Sequence, residues 1–139
     1  MDKSSFNIDV LKNALTTLQE SWAIYTQKLQ DPIMESIVAD SCVKRFEYTM
    51  ETSLKLMRRY LKTEYAKDDK ELTVNNIFRF MDSYDMIQNW EAWKGYYAKR
   101  NDTSHEYNID KARTLLPILP QFIDDVTFLI NSFDKVITG

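Results

Sequence analysis

The stretch Ile8 to Leu29, IDVLKNALTTLQESWAIYTQKL, decides the fold. Leu11, Ala14, Leu15, Leu18, Trp22, Tyr25 and Leu29 recur mostly three or four residues apart. At 3.6 residues per turn they form one apolar stripe, which predicts an amphipathic helix from about Ile8 to about Leu29. Asn7 is placed to cap its start. Asp31-Pro32 ends it, because proline disfavours the α conformation in the residue before it.

The same spacing continues downstream. Ile37, Val43, Phe46, Met50, Leu54, Met57 and Leu61 mark a second helix from about Ile33 to about Tyr65, with a break expected near Asp40. Arg58, Arg59 and Lys62 lie toward its C-terminal end, where cations suit the helix dipole. Ala66 to Glu71 is charged and reads as an exposed loop. A third, shorter helix starts at Thr73 and carries Ile77, Phe80, Met81 and Tyr84. After a break over Asp85 to Asn89, a fourth carries Trp90, Trp93, Tyr96 and Tyr97. Gly95 inside it costs about 1 kcal/mol against alanine and leaves room for a close neighbour. A fifth segment, from about Ile109 to about Val136, contains Leu115, Leu116, Leu119, Phe122, Ile123, Val126, Leu129, Ile130 and Phe133. Pro117 and Pro120 predict a kink or break within it.

Composition supports the helical reading. Two glycines and three prolines in 139 residues supply too few tight turns for a many-stranded sheet. The length suits one domain over residues 1–139 with a core of its own. The expected architecture is all-α, an antiparallel bundle of four to five helices. A net charge of -3 argues against extended DNA binding and leaves room for a local basic site. One cysteine, Cys42, and one histidine, His105, can neither close a disulfide within the chain nor complete a zinc site. No cofactor or metal is expected. The N-terminal residues lack a secretory apolar core and no apolar run reaches membrane-spanning length, so a cytoplasmic setting without a membrane is expected.

Chemistry concentrates in Arg100-Asn101-Asp102-Thr103-Ser104-His105-Glu106-Tyr107. Residues that hold phosphate and the chain's single proton-transfer histidine share eight positions between two apolar segments. On spacing alone, an arginine and a histidine at a helix end read first as capping or surface residues. Arg100 and His105 are five apart, roughly 140° around a continuous helix. To meet one phosphate, the helix must end or bend between them, or two copies of the motif must face each other.

Arg100…His105-Glu106-Tyr107, with Asn101 directly after the arginine, resembles the motif of the HEPN superfamily. More narrowly, it is similar to the HepT-like proteins, also described as nucleotidyltransferase substrate-binding subunits. Cys42 to Thr49, with Arg45-Phe46-Glu47 at its centre, resembles a helix of that family. Trp93 stands seven residues before Arg100, and Asn108 to Ala112 is similar to the family's lead into the last helix. The chain departs from the family at Thr73-Val74-Asn75-Asn76, at Asp85 where glycine is common, and at Pro117 and Pro120.

The resemblance implies a helical homodimer with two motif copies in one cleft, and a small nucleotidyltransferase as partner. It further implies a metal-independent ribonuclease of toxin–antitoxin type, silenced in some pairs by adenylylation of the tyrosine that corresponds to Tyr107. Chemically, two His105 side chains could supply the base and the acid that one chain lacks. Arg100 would bind phosphate, Asn101 and Ser104 would donate hydrogen bonds, and Asp102 would orient a side chain. The same Arg100, Asn101 and His105 equally suit a non-catalytic subunit that binds RNA or a nucleotide for the partner enzyme. A purely structural partner protein is the third reading.

Several further residues have structural assignments. Trp90, Trp93, Tyr96 and Tyr97 read as core or interface rather than as base-stacking platforms. Arg45 and Glu47, beside Phe46 in the second helix, read as a salt bridge bracing the motif or the subunit interface rather than as catalytic residues. Lys94, Lys99, Lys111 and Arg113 read equally as a basic rim for RNA or as solvated charges. Cys42 reads as a small buried residue.

Overall fold

The computed structural model describes residues 7–105 and 113–138, with the backbone alone at 103–105. Five α-helices are described: α1 (Asp9–Tyr25), α2 (Pro32–Tyr65), α3 (Val74–Ser83), α4 (Trp90–His105) and α5 (Leu119–Thr138). A 3₁₀ turn, Leu116–Ile118, precedes α5. There is no strand among the described residues, and no described helix is long and apolar enough to cross a membrane.

The helix ends show why the chain turns where it does. At α1, Asn7 Oδ1 accepts the Asp9 backbone N–H at 2.9 Å, although Ile8 occupies the capping position. The helix stops at Tyr25, one turn short of the expected Leu29, and Lys28 follows in the left-handed region with φ 55°. Asp31-Pro32 therefore opens α2 rather than closing α1. Asp31 caps it by accepting the Ile33 N–H at 2.9 Å, and Pro32 fills the first turn, where its missing N–H costs nothing.

The break expected near Asp40 does not occur: α2 runs unbroken for 34 residues, about 50 Å. Its buried face is wider than one stripe, taking in Ala39, Cys42, Leu56 and Tyr60 as well as Thr49, Thr52 and Ser53. The Thr49 and Thr52 hydroxyls donate to the Arg45 and Tyr48 carbonyls at 2.7 and 2.8 Å, so both polar groups are buried with partners. Ile37, expected on the stripe, is 55% exposed, while the adjacent Val38 and Ala39 are buried, so the covered face of α2 at this end lies to one side of it.

Thr73 caps α3 through the Asn76 N–H, and α3 ends in a Schellman motif. Met86 N–H donates to the Met81 carbonyl at 2.9 Å and Asp85 N–H to the Asp82 carbonyl at 3.0 Å. Asp85 holds the left-handed position, φ 61°, which is where a glycine would be expected. Asn89 Oδ1 then accepts the Glu91 and Ala92 N–H groups, and Asp82 Oδ2 accepts that of Trp90, which together start α4. The proline-induced break before α5 is present: Pro117 lies in the 3₁₀ turn and Pro120 in the first turn of α5.

α2 is the axis of the bundle, packed against α1, α3, α4 and the 3₁₀ turn. α1 runs antiparallel to both its neighbours. Late Ser21 bonds early Ser41 at 2.8 Å, and early Lys12 pairs with late Asp134 at 3.2 Å. α2 and α5 run in the same sense, since Phe46 meets Phe122 at 4.7 Å and Tyr60 meets Phe133 at 5.6 Å. The core they enclose is closed by Trp93, which is 1% exposed.

Candidate functional site

The aromatic half of α4 anchors the site. Trp93 packs edge-on against Tyr96 and Phe122 and lies tilted against Phe78. The buried Tyr96 hydroxyl donates a short hydrogen bond to Asp125 Oδ2 on α5. Burial raises the Asp125 pKa above the ordinary carboxylate value, with the Tyr96 bond opposing that rise. Burial, followed by the Asp125 contact, also pushes the Tyr96 phenol up. Trp90 and Tyr97 are half-buried, and Arg79 lies over the Trp90 ring at 4.6 Å. Trp93 and Tyr96 are thus core residues, as expected, while Tyr97 faces a cleft.

One turn beyond Tyr97, Arg100 is 27% exposed on its side chain and reaches across to α2. One guanidinium nitrogen pairs with the Glu51 carboxylate, and the other donates to Asn101 Oδ1 at 3.1 Å. Arg100, Glu51, Tyr97, Met50, Leu54, Lys55 and Arg58 line a cleft of about 270 Å³ between α2 and α4. Three cations and one carboxylate thus share a concavity on a chain whose net charge is -3. Arg58 is held in place, donating to the Leu72 carbonyl at 2.9 Å.

The structure brings Arg100 and Asn101 together and leaves Asp102 exposed. α4 continues as helix through His105, so positions 100 and 105 stand roughly 140° apart around the helix, which does not end between them. The side chains of Ser104 and His105 lie outside the described residues, as do Tyr107, Lys111 and the segment Asn108 to Ala112.

The cations that read equally as a basic rim or as solvated charges have different surroundings. Arg113 is committed to the start of α2, bonding Glu35 at 2.5 Å and Ser36 at 3.5 Å, and Glu35 raises its pKa. Lys99 ties α4 to Thr114 at 3.3 Å, and Lys94 is exposed. The carboxylate that pairs with Arg100 of the motif is that of Glu51. Arg45 is exposed, and Glu47 lies 3.9 Å from Lys44. Cys42 is fully buried, and desolvation pushes its thiol up to about 11, which makes it unreactive.

Glu51, Lys55 and Arg58 are the site residues that sequence reasoning passed over. Their spacing of four and three places them on one face of a helix, a signal present in the sequence but assigned there, for Arg58, to the helix dipole.

An all-α bundle with a cationic cleft beside a polar helix end defines the class. Within it, the chain belongs to the family described as nucleotidyltransferase substrate binding protein like, whose model matches residues 6–135. It is 26% identical over 137 residues to a Haemophilus influenzae protein named probable ribonuclease HepT, covering 94% of both chains. A solved Haemophilus influenzae structure, described as a substrate binding domain of a nucleotidyltransferase, superposes with a TM-score of 0.83. It is 25% identical, over 91% of this chain and 98% of the other. A Thermus thermophilus structure shares the fold, with TM-score 0.70 at 24% identity over 87% of this chain and 96% of the other.

Proposed function

We propose that this protein is the HepT-like subunit of a two-gene nucleotidyltransferase pair of toxin–antitoxin type, working in the cytoplasm. It cleaves RNA without a metal at a site completed by two copies of the chain. The observation that carries this reading is the unbroken course of α4 through His105. A continuous helix sends positions 100 and 105 in different directions, so the two are not aimed at one phosphate within one chain. A two-fold partner brings a second Arg100 and a second His105 to the same cleft.

The reaction then needs nothing beyond these side chains. One neutral His105 takes the proton of the RNA 2′-hydroxyl as its oxygen bonds to the adjacent phosphorus. The P–O5′ bond breaks, and the protonated His105 of the second copy gives its proton to the departing 5′-oxygen. A 2′,3′-cyclic phosphate and a 5′-hydroxyl result. An ordinary imidazole titrates at about 6.5, so both forms are accessible at neutral pH. Arg100, with Asn101 beside it, steadies the phosphorane charge, and Ser104 and Asp102 serve as donor and orienting group. Tyr107 follows His105 by two residues. Its adenylylation by the partner would put bulk and negative charge where the RNA phosphate lies.

The test is RNA cleavage in EDTA by wild type and by His105→Ala. Loss of cleavage in the variant, at about 10²–10⁴-fold, is expected for removal of a general acid–base. Cleavage that persists unchanged removes His105 from the mechanism. No cleavage by either protein, with nucleotide binding retained, favours the substrate-presenting subunit that the family description names.

A further inference from the structure

The cleft between α2 and α4 holds more cationic chemistry than a single phosphate at Arg100 requires. Lys55 and Arg58 follow Glu51 by four and seven residues on α2, so the cations are strung along the helix rather than gathered at one point. From Glu51 to Arg58 the axis advances about 10 Å, enough for more than one phosphate of an extended strand. The Arg58 guanidinium is fixed by its bond to the Leu72 carbonyl, which uses one of its five N–H donors. The half-buried Tyr97 of α4 lines the same cleft, together with the apolar Leu54 and Met50 of α2. The volume of about 270 Å³ falls just below the usual range for ligand sites, on the scale of one nucleotide.

We propose that this cleft is a subsite for single-stranded RNA that extends from the reacting phosphate at Arg100. Lys55 and Arg58 hold backbone phosphates that flank the one at Arg100, and a base lies against Tyr97 and Leu54. This rests on the reading of the α4 motif as a phosphodiester site, and it names what positions the strand there. A linear row of cations beside one aromatic face matches a charged backbone carrying stackable bases. Glu51 is the one anion in the row and pairs with Arg100. An incoming phosphate must displace that carboxylate, so Glu51 weakens the binding of poorly fitting anions more than that of a strand held at several points.

The experiment measures binding of a fluorescent single-stranded RNA of about ten nucleotides, in EDTA and across a salt series. Full-length His105→Ala protein is used, so that the probe is not consumed. Lys55→Glu is expected to weaken binding about tenfold or more. The milder Lys55→Ala should lower the slope of log affinity against log salt by about 0.7, as one lost contact to a single strand requires. Arg58→Lys retains the charge and should weaken binding less than Lys55→Glu. Lys135→Glu on α5, away from the cleft, should bind as the parent does. With His105 intact, Lys55→Ala should raise KM and leave kcat nearly unchanged, marking a positioning residue.

Equal affinity and equal salt slope for the parent and both Lys55 variants would overturn the subsite, even where His105 proves essential for cleavage. Lys55-dependent binding would uphold it even where His105→Ala still cleaves, so the two readings fail separately. Binding of AMP that depends on Lys55, without RNA binding, would overturn it in favour of a free-nucleotide site.

Discussion

The two halves of α4 differ in almost everything except their axis. The first half inserts Trp93 and Tyr96 into the core, against Phe78, Phe122 and Asp125. The second half presents Arg100, Asn101 and Asp102 toward Glu51, the cleft and solvent. A helix is stiff along its length, so fixing one end in a packed core holds polar groups at the other without a core around them. The first half is committed to the core, and the second leaves its polar groups available at the cleft.

Breaking the first half should cost the most. Trp93→Ala is expected to lose about 3–5 kcal/mol in denaturant unfolding, because it empties the centre of the aromatic cluster. Arg100→Ala should lose less than about 1 kcal/mol, since its ion pair is partly exposed. Equal losses would erase the contrast between the halves.

Tyr96→Phe comes next, at about 1.5–3 kcal/mol near neutral pH, because it strips a partly buried carboxylate of its donor. Asp125 already has a raised pKa, so its ionised form costs stability above the folded pKa, and that cost is relieved as pH falls through it. The gap between wild type and Tyr96→Phe should therefore narrow on acidification. A gap that widens would show that Tyr96 does not serve the Asp125 carboxylate.

In the second half, Glu51→Gln should tighten phosphate or RNA binding a few-fold, with unfolding changed by less than about 1 kcal/mol. Weaker binding would make Glu51 an orienting partner of Arg100 rather than a competitor for it.

The smallest effects come from two backbone positions. Asp85→Gly and Gly95→Ala should each stabilise by about 0.5–1 kcal/mol in thermal unfolding of the free chain. Asp85 carries a left-handed φ, while a Cβ added at Gly95 meets nothing within 4 Å. The room that Gly95 leaves for a close neighbour is not used by any of the described residues. A loss of stability in Gly95→Ala would show that something covers that face in solution.

Much of this arrangement is legible in the sequence, for a physical reason. Spacings of three and four report a helix wherever one face is buried, so the stripe of α1 and the aromatic half of α4 could be read directly. α2 was harder because it is surrounded. Thr49, Thr52 and Ser53 are buried in it, and a polar residue such as Asp40 then looks like a break. Left-handed positions at Lys28 and Ala66 carry no glycine to announce them.

The site divides in the same way. Arg100 and Asn101 are neighbours in sequence and meet as read. Glu51, Lys55 and Arg58 lie more than forty residues upstream of Arg100, and packing of α2 on α4 alone brings them to it. Arg113, by contrast, is close in sequence to the motif and is bound to Glu35 instead.

The central claim is that one cleft uses two copies of His105, and a mixing titration tests it most directly. Wild type and His105→Ala are unfolded together, refolded at a fixed total concentration, and assayed for RNA cleavage in EDTA. If both histidines of a dimer are needed, activity falls as the square of the wild-type fraction, to about one quarter at an equal mixture. Activity that falls linearly, to about one half at that point, would mean that each chain acts alone and would contradict the account.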